Sequence, residues 1–132
     1  MGALIDSSVL IAAERGRLDL AQLLSSPEDE PAISAVTLSE LLHGLHRVVS
    51  PAQRETRQSF LDGALARIRV IPFDERIARV HAAVWAGMAA KGVNIGQHDL
   101  LIGCTALALD FRVVTRDGRS FPRIPGLVVE RV

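Results

Sequence analysis

Apolar positions recur with two different periods along the chain, and the change of period marks the elements of secondary structure. Short apolar runs predict strands at about Ala3–Asp6, Ala32–Ser34, Arg69–Phe73, Phe111–Thr115 and Leu127–Arg131. Helical spacing predicts helices at about Ser7–Glu14, Asp19–Ser25, Val36–Val49, Ala52–Ile68, Asp99–Leu109 and from Asp74 through the stripe that ends at Met88. Strands that alternate with helices predict an α/β fold in three layers, with a mostly parallel sheet between helices.

Local signals set several of these boundaries. Ser7 or Ser8 is expected to cap the first helix, because a serine hydroxyl accepts a bond from a free helical amide. Pro72 predicts that its strand lies at an edge or ends there, since proline cannot donate to a sheet ladder. Asp74 is interpreted as the cap of the helix that follows it. The segment 26–31 is interpreted as a loop.

Four acidic residues lie where a predicted element meets its loop: Asp6, Glu40, Asp99 and Asp117. In a parallel sheet, ligands bind beyond the carboxyl ends of the strands. Asp6 and Asp117 each follow a strand, and the helix of Glu40 begins directly after one. The helix of Asp99 leads into a strand with almost no loop, so its first turn should lie at the same edge. All four carboxylates are therefore expected at one rim.

Such a cluster is unfavourable without a cation. Two unit charges ~4 Å apart repel by roughly 4 kcal/mol at an effective dielectric constant near 20. Carboxylate oxygens are the ligands that Mg²⁺ prefers, and a pair of such ions can activate water and stabilise a leaving oxygen in phosphoryl chemistry. The pattern indicates a metal-dependent nuclease.

Each acid also has a plain structural interpretation. Asp6 could cap the first helix, Glu40 could be a solvated helical residue, and Asp99 could be a first-turn acid favoured by the helix dipole. The dipeptide Asp117–Gly118 is a strong turn signal. Six further acids are expected at the solvated surface: Asp19, Glu28, Asp29, Glu30, Asp62 and Asp110. His98, beside Asp99, is a further candidate to face the rim.

Composition narrows the class of protein. The 132 residues suit one domain, 1–132, and the 15 basic and 15 acidic side chains leave no net charge to indicate a nucleic-acid partner. Cys104 is the single cysteine and is expected to be a core thiol. Neither a signal peptide nor a run of about 18 apolar residues is visible, so we expect a cytoplasmic protein without a membrane partner. Trp85 is expected in the core or in an interface, and the four Phe are expected to be structural.

The order of these motifs resembles the PIN-domain ribonucleases along nearly the whole chain. The resemblance lies in Leu4–Ile11, in Ser34–Leu41 with the following Gly44, in Asp99–Ala106, and in Val113–Asp117 with Phe121 and Ile124–Leu127. Size and spacing are most similar to the VapC-type toxins of bacterial type II toxin–antitoxin modules.

The resemblance implies a Rossmann-like PIN fold and an Mg²⁺- or Mn²⁺-dependent endoribonuclease. It implies Asp6, Glu40, Asp99 and Asp117 as the metal-binding and catalytic quartet, with Thr115 as the hydroxyl that orders the site. It also implies an RNA substrate, a homodimer or a larger toxin–antitoxin assembly, and a small cognate antitoxin that reaches into the site.

One position departs from the family pattern, because Ser120 stands where an acid often precedes the aromatic Phe121. A second metal is therefore expected to bind weakly. Five arginines flank the rim and could contact phosphates or antitoxin carboxylates: Arg15, Arg17, Arg116, Arg119 and Arg123. No aromatic platform for stacking bases is expected.

Other classes of protein fit less well. A receiver-type phospho-acceptor domain needs an acidic pair after the first strand and a late lysine, whereas Lys91 is the only lysine. A haloacid-dehalogenase-like phosphatase needs a second Asp where Ser8 stands. A PIN domain that binds without catalysis, or a nuclease that acts on DNA, remains an alternative.

Overall fold

A computed structural model of the chain describes residues 1–26 and 29–132. The described part contains five strands: β1 (Ala3–Ile5), β2 (Pro31–Ser34), β3 (Arg69–Ile71), β4 (Arg112–Thr115) and β5 (Val129–Arg131). It also contains six helices: α1 (Ser7–Glu14), α2 (Leu20–Leu23), α3 (Ala35–His46), α4 (Pro51–Leu65), α5 (Glu75–Ala90) and α6 (Gln97–Leu109), with a 3₁₀ turn at Phe121–Arg123.

The sheet has the order β3-β2-β1-β4-β5, and each of its four pairings is parallel. The prediction of a mostly parallel α/β sheet is confirmed. β1 lies at the centre, so Asp6 leaves the sheet at the middle of its carboxyl edge. β3 is an edge strand that ends just before Pro72, as the sequence predicted.

Alternating side chains of the strands fill two cores, one on each face of the sheet. Leu4 and Val113 face one cluster, which α5 and α6 cover. Ile5 and Val114 face the other, which α1 and α4 cover. Because both faces are covered, the central strand β1 is apolar and buried at every position, as expected for a buried parallel sheet.

Helix α6 is the most deeply buried helix of the fold, and it carries Asp99. Gly103 lets the closing segment pack tightly on it, since a Cβ there would meet the Ile124 side chain. Cys104 is fully buried, as expected. Burial raises the pKa of its thiol to about 11, so the sulfur stays protonated and unreactive at neutral pH.

Asp29 lies at the surface with 27% of its side chain exposed, but it is paired with an arginine. Arg112 donates two hydrogen bonds to the Asp29 carboxylate, at 2.7 and 2.8 Å, and a third to Glu130 at 3.3 Å. The Arg112 guanidinium lowers the pKa of the Asp29 carboxyl. This pair ties the segment before β2 to β4. The expected loop also includes Pro27 and Glu28, which lie outside the described residues.

Candidate active site

Asp6 follows β1 and is only 5% exposed. It occupies the N-cap position of α1, yet its side chain makes no capping bond, so the capping interpretation of its carboxylate is wrong. Oδ2 instead accepts hydrogen bonds from Ser8 Oγ at 2.7 Å and from Thr115 Oγ1 at 2.9 Å. The expectation that Ser7 or Ser8 caps this helix is also wrong, because Ser7 is already helical and the Ser8 hydroxyl contacts Asp6.

Thr115 connects the central strand to the turn that carries Asp117. Its fully buried hydroxyl donates to Asp6 and accepts from the Asp117 amide at 2.9 Å. Asp117 Oδ1 in turn accepts from the Arg119 amide at 2.9 Å. Asp117 therefore does form the turn that its sequence indicates, and the same turn holds it beside β4 at the carboxyl edge of the sheet.

Glu40 lies in the second turn of α3, with 30% of its side chain exposed. Its Oε2 is 3.5 Å from His98 Nδ1. Its Oε1 is buried and has no hydrogen-bond partner among residues 1–26 and 29–132. A buried carboxylate oxygen without a partner is costly, which makes this atom a candidate ligand atom.

Asp99 is the third residue of α6, because that helix begins two residues earlier than predicted. Burial raises the pKa of its carboxyl, the Ser120 hydroxyl partly offsets this, and repulsion from Asp6 and Asp117 raises it further. Burial likewise raises the pKa of Glu40, with repulsion from Asp6 as the next cause. The parallel sheet places Asp6 and Asp117 at the carboxyl ends of β1 and β4, and the N-terminal turns of α3 and α6 bring Glu40 and Asp99 to the same edge.

The donor set suits a hard divalent cation, because every candidate ligand is a carboxylate oxygen. The orphaned Glu40 oxygen and the raised pKa values of two acids also fit a missing positive charge. In the described parts of the chain, however, no three Asp, Glu, His or Cys side chains are close enough together to hold an ion.

Glu40→Gln is expected to raise the melting temperature of the metal-free protein at pH 7. Folding raises the pKa of this carboxyl, so the folded state binds its proton more tightly than the unfolded chain does. The stability that this group contributes is complete below the unfolded pKa and is lost as the pH rises through the folded pKa. In melting curves recorded in EDTA from pH 4 to pH 8, the difference in melting temperature between Glu40→Gln and the wild type should become smaller as the pH falls. The exposed Glu55→Gln is the matched control, and a lower melting temperature for Glu40→Gln at pH 7 would contradict the raised pKa of Glu40, which burial and repulsion from Asp6 cause.

Two residues at the rim were missed or undervalued by sequence reasoning. Ser8 was considered only as a helix cap, although its place two residues after Asp6 puts its hydroxyl within reach of that carboxylate. His98 faces Glu40, and its position next to Asp99 was the available signal.

The arginine side chains around the rim are exposed, as expected, but they are not equivalent. Arg123 Nη1 donates to the Asn94 carbonyl at 3.0 Å, which ties it to the loop before α6. Arg131, which was not a candidate, packs under Gly118 in the acidic turn. Arg116 and Arg119 extend from that turn itself.

Two of the aromatic residues lie outside the core, which leaves the interface alternative for Trp85. Trp85 is 56% exposed and Phe73 is 45% exposed, so neither is a core residue. His81 lies between them, stacked on Trp85 at 5.4 Å and edge-on to Phe73 at 6.1 Å. The protein therefore has an aromatic cluster at its surface, formed by Phe73 before α5 and by His81 and Trp85 on α5.

Comparison with known families agrees with this architecture. The family model described as PIN domain matches residues 3–127. This chain therefore belongs to the PIN domain family. The receiver-type and dehalogenase-like alternatives are wrong, since neither class has this fold or this order of acids.

Within the family, the chain is similar to VapC ribonucleases. Ribonuclease VapC of Rickettsia bellii is 33% identical over 129 residues, which cover 98% of this chain and 95% of that protein. The tRNA(fMet)-specific endonuclease VapC of Salmonella typhimurium is 33% identical over 98 residues, 74% of this chain and 72% of that protein. A solved structure of VapBC2 from Rickettsia felis, bound to a DNA fragment from its promoter, superposes with a TM-score of 0.88 at 28% identity, covering 100% of this chain and 99% of that one.

Proposed function

We propose that this protein is a metal-dependent endoribonuclease and the toxin of a type II toxin–antitoxin pair. The observation that carries the proposal is the convergence of four carboxylates on one rim of a PIN domain, with a buried Glu40 oxygen left unpaired. The relatives named ribonuclease VapC support the reaction class. The solved VapBC complexes support the toxin–antitoxin assignment.

Asp6, Glu40, Asp99 and Asp117 would hold Mg²⁺ or Mn²⁺. When bound, such an ion lowers the pKa of its water and stabilises the charge on the leaving oxygen. The protein places the carboxylates: Thr115 orients Asp6 and the Asp117 turn together, and burial keeps bulk water away from Asp6. Ser120 supplies no carboxylate where the family often has one, so one tightly held ion is proposed, with a second recruited beside the substrate.

An RNA substrate would approach this acidic rim through its phosphates. Arg116 and Arg119 extend from the acidic turn into solvent, where a guanidinium can bind a phosphate through two parallel hydrogen bonds. Because the Salmonella relative is named for tRNA(fMet), initiator tRNA is the first substrate to test.

The test is cleavage of a tRNA pool and of single-stranded DNA of matched sequence by the purified, partner-free protein. We expect RNA to be cut with Mg²⁺ or Mn²⁺ and to stay intact with EDTA. Cleavage of the DNA alone would support a DNA-directed nuclease. No cleavage of either polymer with any metal would support a binding module without catalysis and contradict the proposal.

An apolar groove beside the rim supports the antitoxin partner. It lies between α1, α3 and α4, encloses about 110 Å³, and has Glu40 among its lining residues. Its apolar lining consists of Leu10, Ile11, Leu41, Leu45, Phe60 and Leu61. Glu14 and Arg57 pair across it at 3.0 Å. A segment with apolar side chains and one cationic side chain would fill the groove and reach the acidic rim.

Ile11→Asp is expected to weaken neutralisation by the antitoxin without changing RNA cleavage. Ile11 is 38% exposed in the groove, so a charge there opposes an apolar partner more than it opposes folding. We expect at least about a tenfold loss of affinity for the cognate antitoxin, or about 1.4 kcal/mol. Val49→Asp, at a 93% exposed site outside the groove, is the matched control. Equal affinity for both variants would contradict this groove as the docking site.

A homodimer is proposed through α5. From Ala82 to Ala90 this helix has no polar side chain, and most of the stretch is exposed, including Trp85. An apolar helical face of this length favours burial against another apolar surface. Trp85→Glu is expected to shift the protein to a monomer in light scattering at micromolar concentration, whereas an unchanged mass would contradict this interface.

In the described residues, no helix combines the length and the apolar character needed to cross a membrane.

A further inference from the structure

Ser8 makes more contacts at the rim than any role in the helix requires. It is the second residue of α1 and is half-buried. Its hydroxyl donates to Asp6 Oδ2 at 2.7 Å, lies 3.4 Å from Thr115 Oγ1, and accepts from the Arg116 amide at 3.1 Å. These contacts join three segments of chain: the end of β1, the end of β4 and the acidic turn.

As a result, the two oxygens of the Asp6 carboxylate differ in their hydrogen bonds. Oδ2 accepts from two hydroxyls, Ser8 and Thr115, which occupy both of its lone-pair directions. The structure shows no hydrogen bond to Oδ1 from the described residues. Asp6 is 5% exposed, so its side chain has little freedom to rotate and exchange the two oxygens.

We propose that Ser8 is a positioning residue that makes Asp6 a ligand through Oδ1 alone and couples it to the turn of Asp117; this inference rests on the proposed metal-dependent nuclease. Two hydroxyls connect Asp6 to that turn, since Ser8 accepts from the Arg116 amide and Thr115 accepts from the Asp117 amide. Asp6 and Asp117 are thereby held at a fixed separation without touching. Partners of this kind, which orient a ligand from behind, change metal affinity by about 10- to 100-fold when removed.

The role requires a group that donates and accepts at one atom. A hydroxyl does both, so Ser8 can donate to the carboxylate while it accepts from the amide. Alanine does neither, whereas threonine retains both functions. Ser7, its neighbour in the first turn, makes no side-chain hydrogen bond within the described residues and is the matched control.

The test compares Ser8→Ala, Ser8→Thr and Ser7→Ala with the wild type. The readouts are Mn²⁺ affinity by electron paramagnetic resonance titration, hydrogen exchange at the Arg116 amide, and kcat and KM for RNA. We expect Ser8→Ala to bind Mn²⁺ about 10- to 100-fold more weakly, to exchange the Arg116 amide faster, and to lose kcat with little change in KM. Ser7→Ala should match the wild type, and Ser8→Thr should recover most of the Mn²⁺ affinity.

The outcomes separate this role from the proposed function. If the wild type binds Mn²⁺ and cuts RNA, and Ser8→Ala binds Mn²⁺ with the same affinity, the positioning role alone would be overturned. An equal loss in Ser7→Ala would overturn it too, because the effect would then be a general weakening of the helix start. A wild type that neither binds Mn²⁺ nor cuts RNA would overturn the proposed function and this role with it. If Ser8→Ala fails to fold, wild-type-like Mn²⁺ affinity in Ser8→Cys, whose thiol is a poor donor and acceptor, would overturn the role.

Discussion

Asp99→Ala is expected to lower the rate of RNA cleavage by roughly 10²–10³-fold or more, the loss seen when one preorganised electrostatic contact to a transition state is removed. Asp99 lies in the first turn of the most buried helix, within range of repulsion from Asp6 and Asp117. The variant should keep the fold, because that repulsion disappears with the carboxylate. Single-turnover cleavage with saturating Mg²⁺ and a melting curve measure the two effects together.

Asp74→Ala is the matched control for this prediction. Asp74 also follows a strand, but its Oδ1 accepts from the Ile77 amide at 3.0 Å and caps α5, as its sequence indicates. Its loss should cost about 1 kcal/mol of stability and leave cleavage unchanged. The two variants thus have opposite expected effects, and a similar loss of activity in both would contradict the assignment of Asp99.

Phe121→Ala is expected to cost about 3–5 kcal/mol of folding free energy, the range for removing a buried phenyl ring. Phe121 is the largest fully buried side chain of the described structure and lies directly after Ser120, whose hydroxyl lowers the pKa of the Asp99 carboxyl. The cavity left by the missing ring should loosen the acidic turn as well as the core. Activity of the variant should therefore fall at lower denaturant concentrations than those that unfold it. Chemical denaturation measures the stability change.

Phe73→Ala gives the comparison for this substitution. Phe73 is 45% exposed, so removing its ring should cost much less than removing the ring of Phe121. Equal costs for the two variants would show that Phe121 does not anchor the core.

The arrangement of the elements could be predicted from the sequence because it follows from the period of the apolar positions and from the order of the elements along the chain. Short apolar runs that alternate with helices predict a parallel sheet, and in a parallel sheet every strand ends at the same edge. That reasoning places Asp6 and Asp117 together, and the short connections before α3 and α6 place Glu40 and Asp99 beside them. The capping role of Asp74 could also be predicted, because its side chain bonds to an amide only three residues away.

Contacts between distant residues could not be predicted in the same way. Arg112 and Asp29 pair across 83 positions of sequence, and nothing in the local pattern of either residue indicates its partner. Ser8 and Thr115 are 107 positions apart, and their contact depends on β1 and β4 being neighbours. The exposure of an apolar side chain could not be predicted either. A residue such as Trp85 has the same local sequence pattern whether its helical face is buried in a core or left uncovered.

The most direct test of the acidic site is Mn²⁺ binding to the metal-free protein, followed by electron paramagnetic resonance in the wild type and in four single variants: Asp6→Asn, Glu40→Gln, Asp99→Asn and Asp117→Asn. If the four carboxylates share an ion, the wild type binds Mn²⁺ and each amide variant binds it more weakly, although each remains folded. Equal Mn²⁺ affinity in the wild type and all four variants would contradict a metal site at this rim.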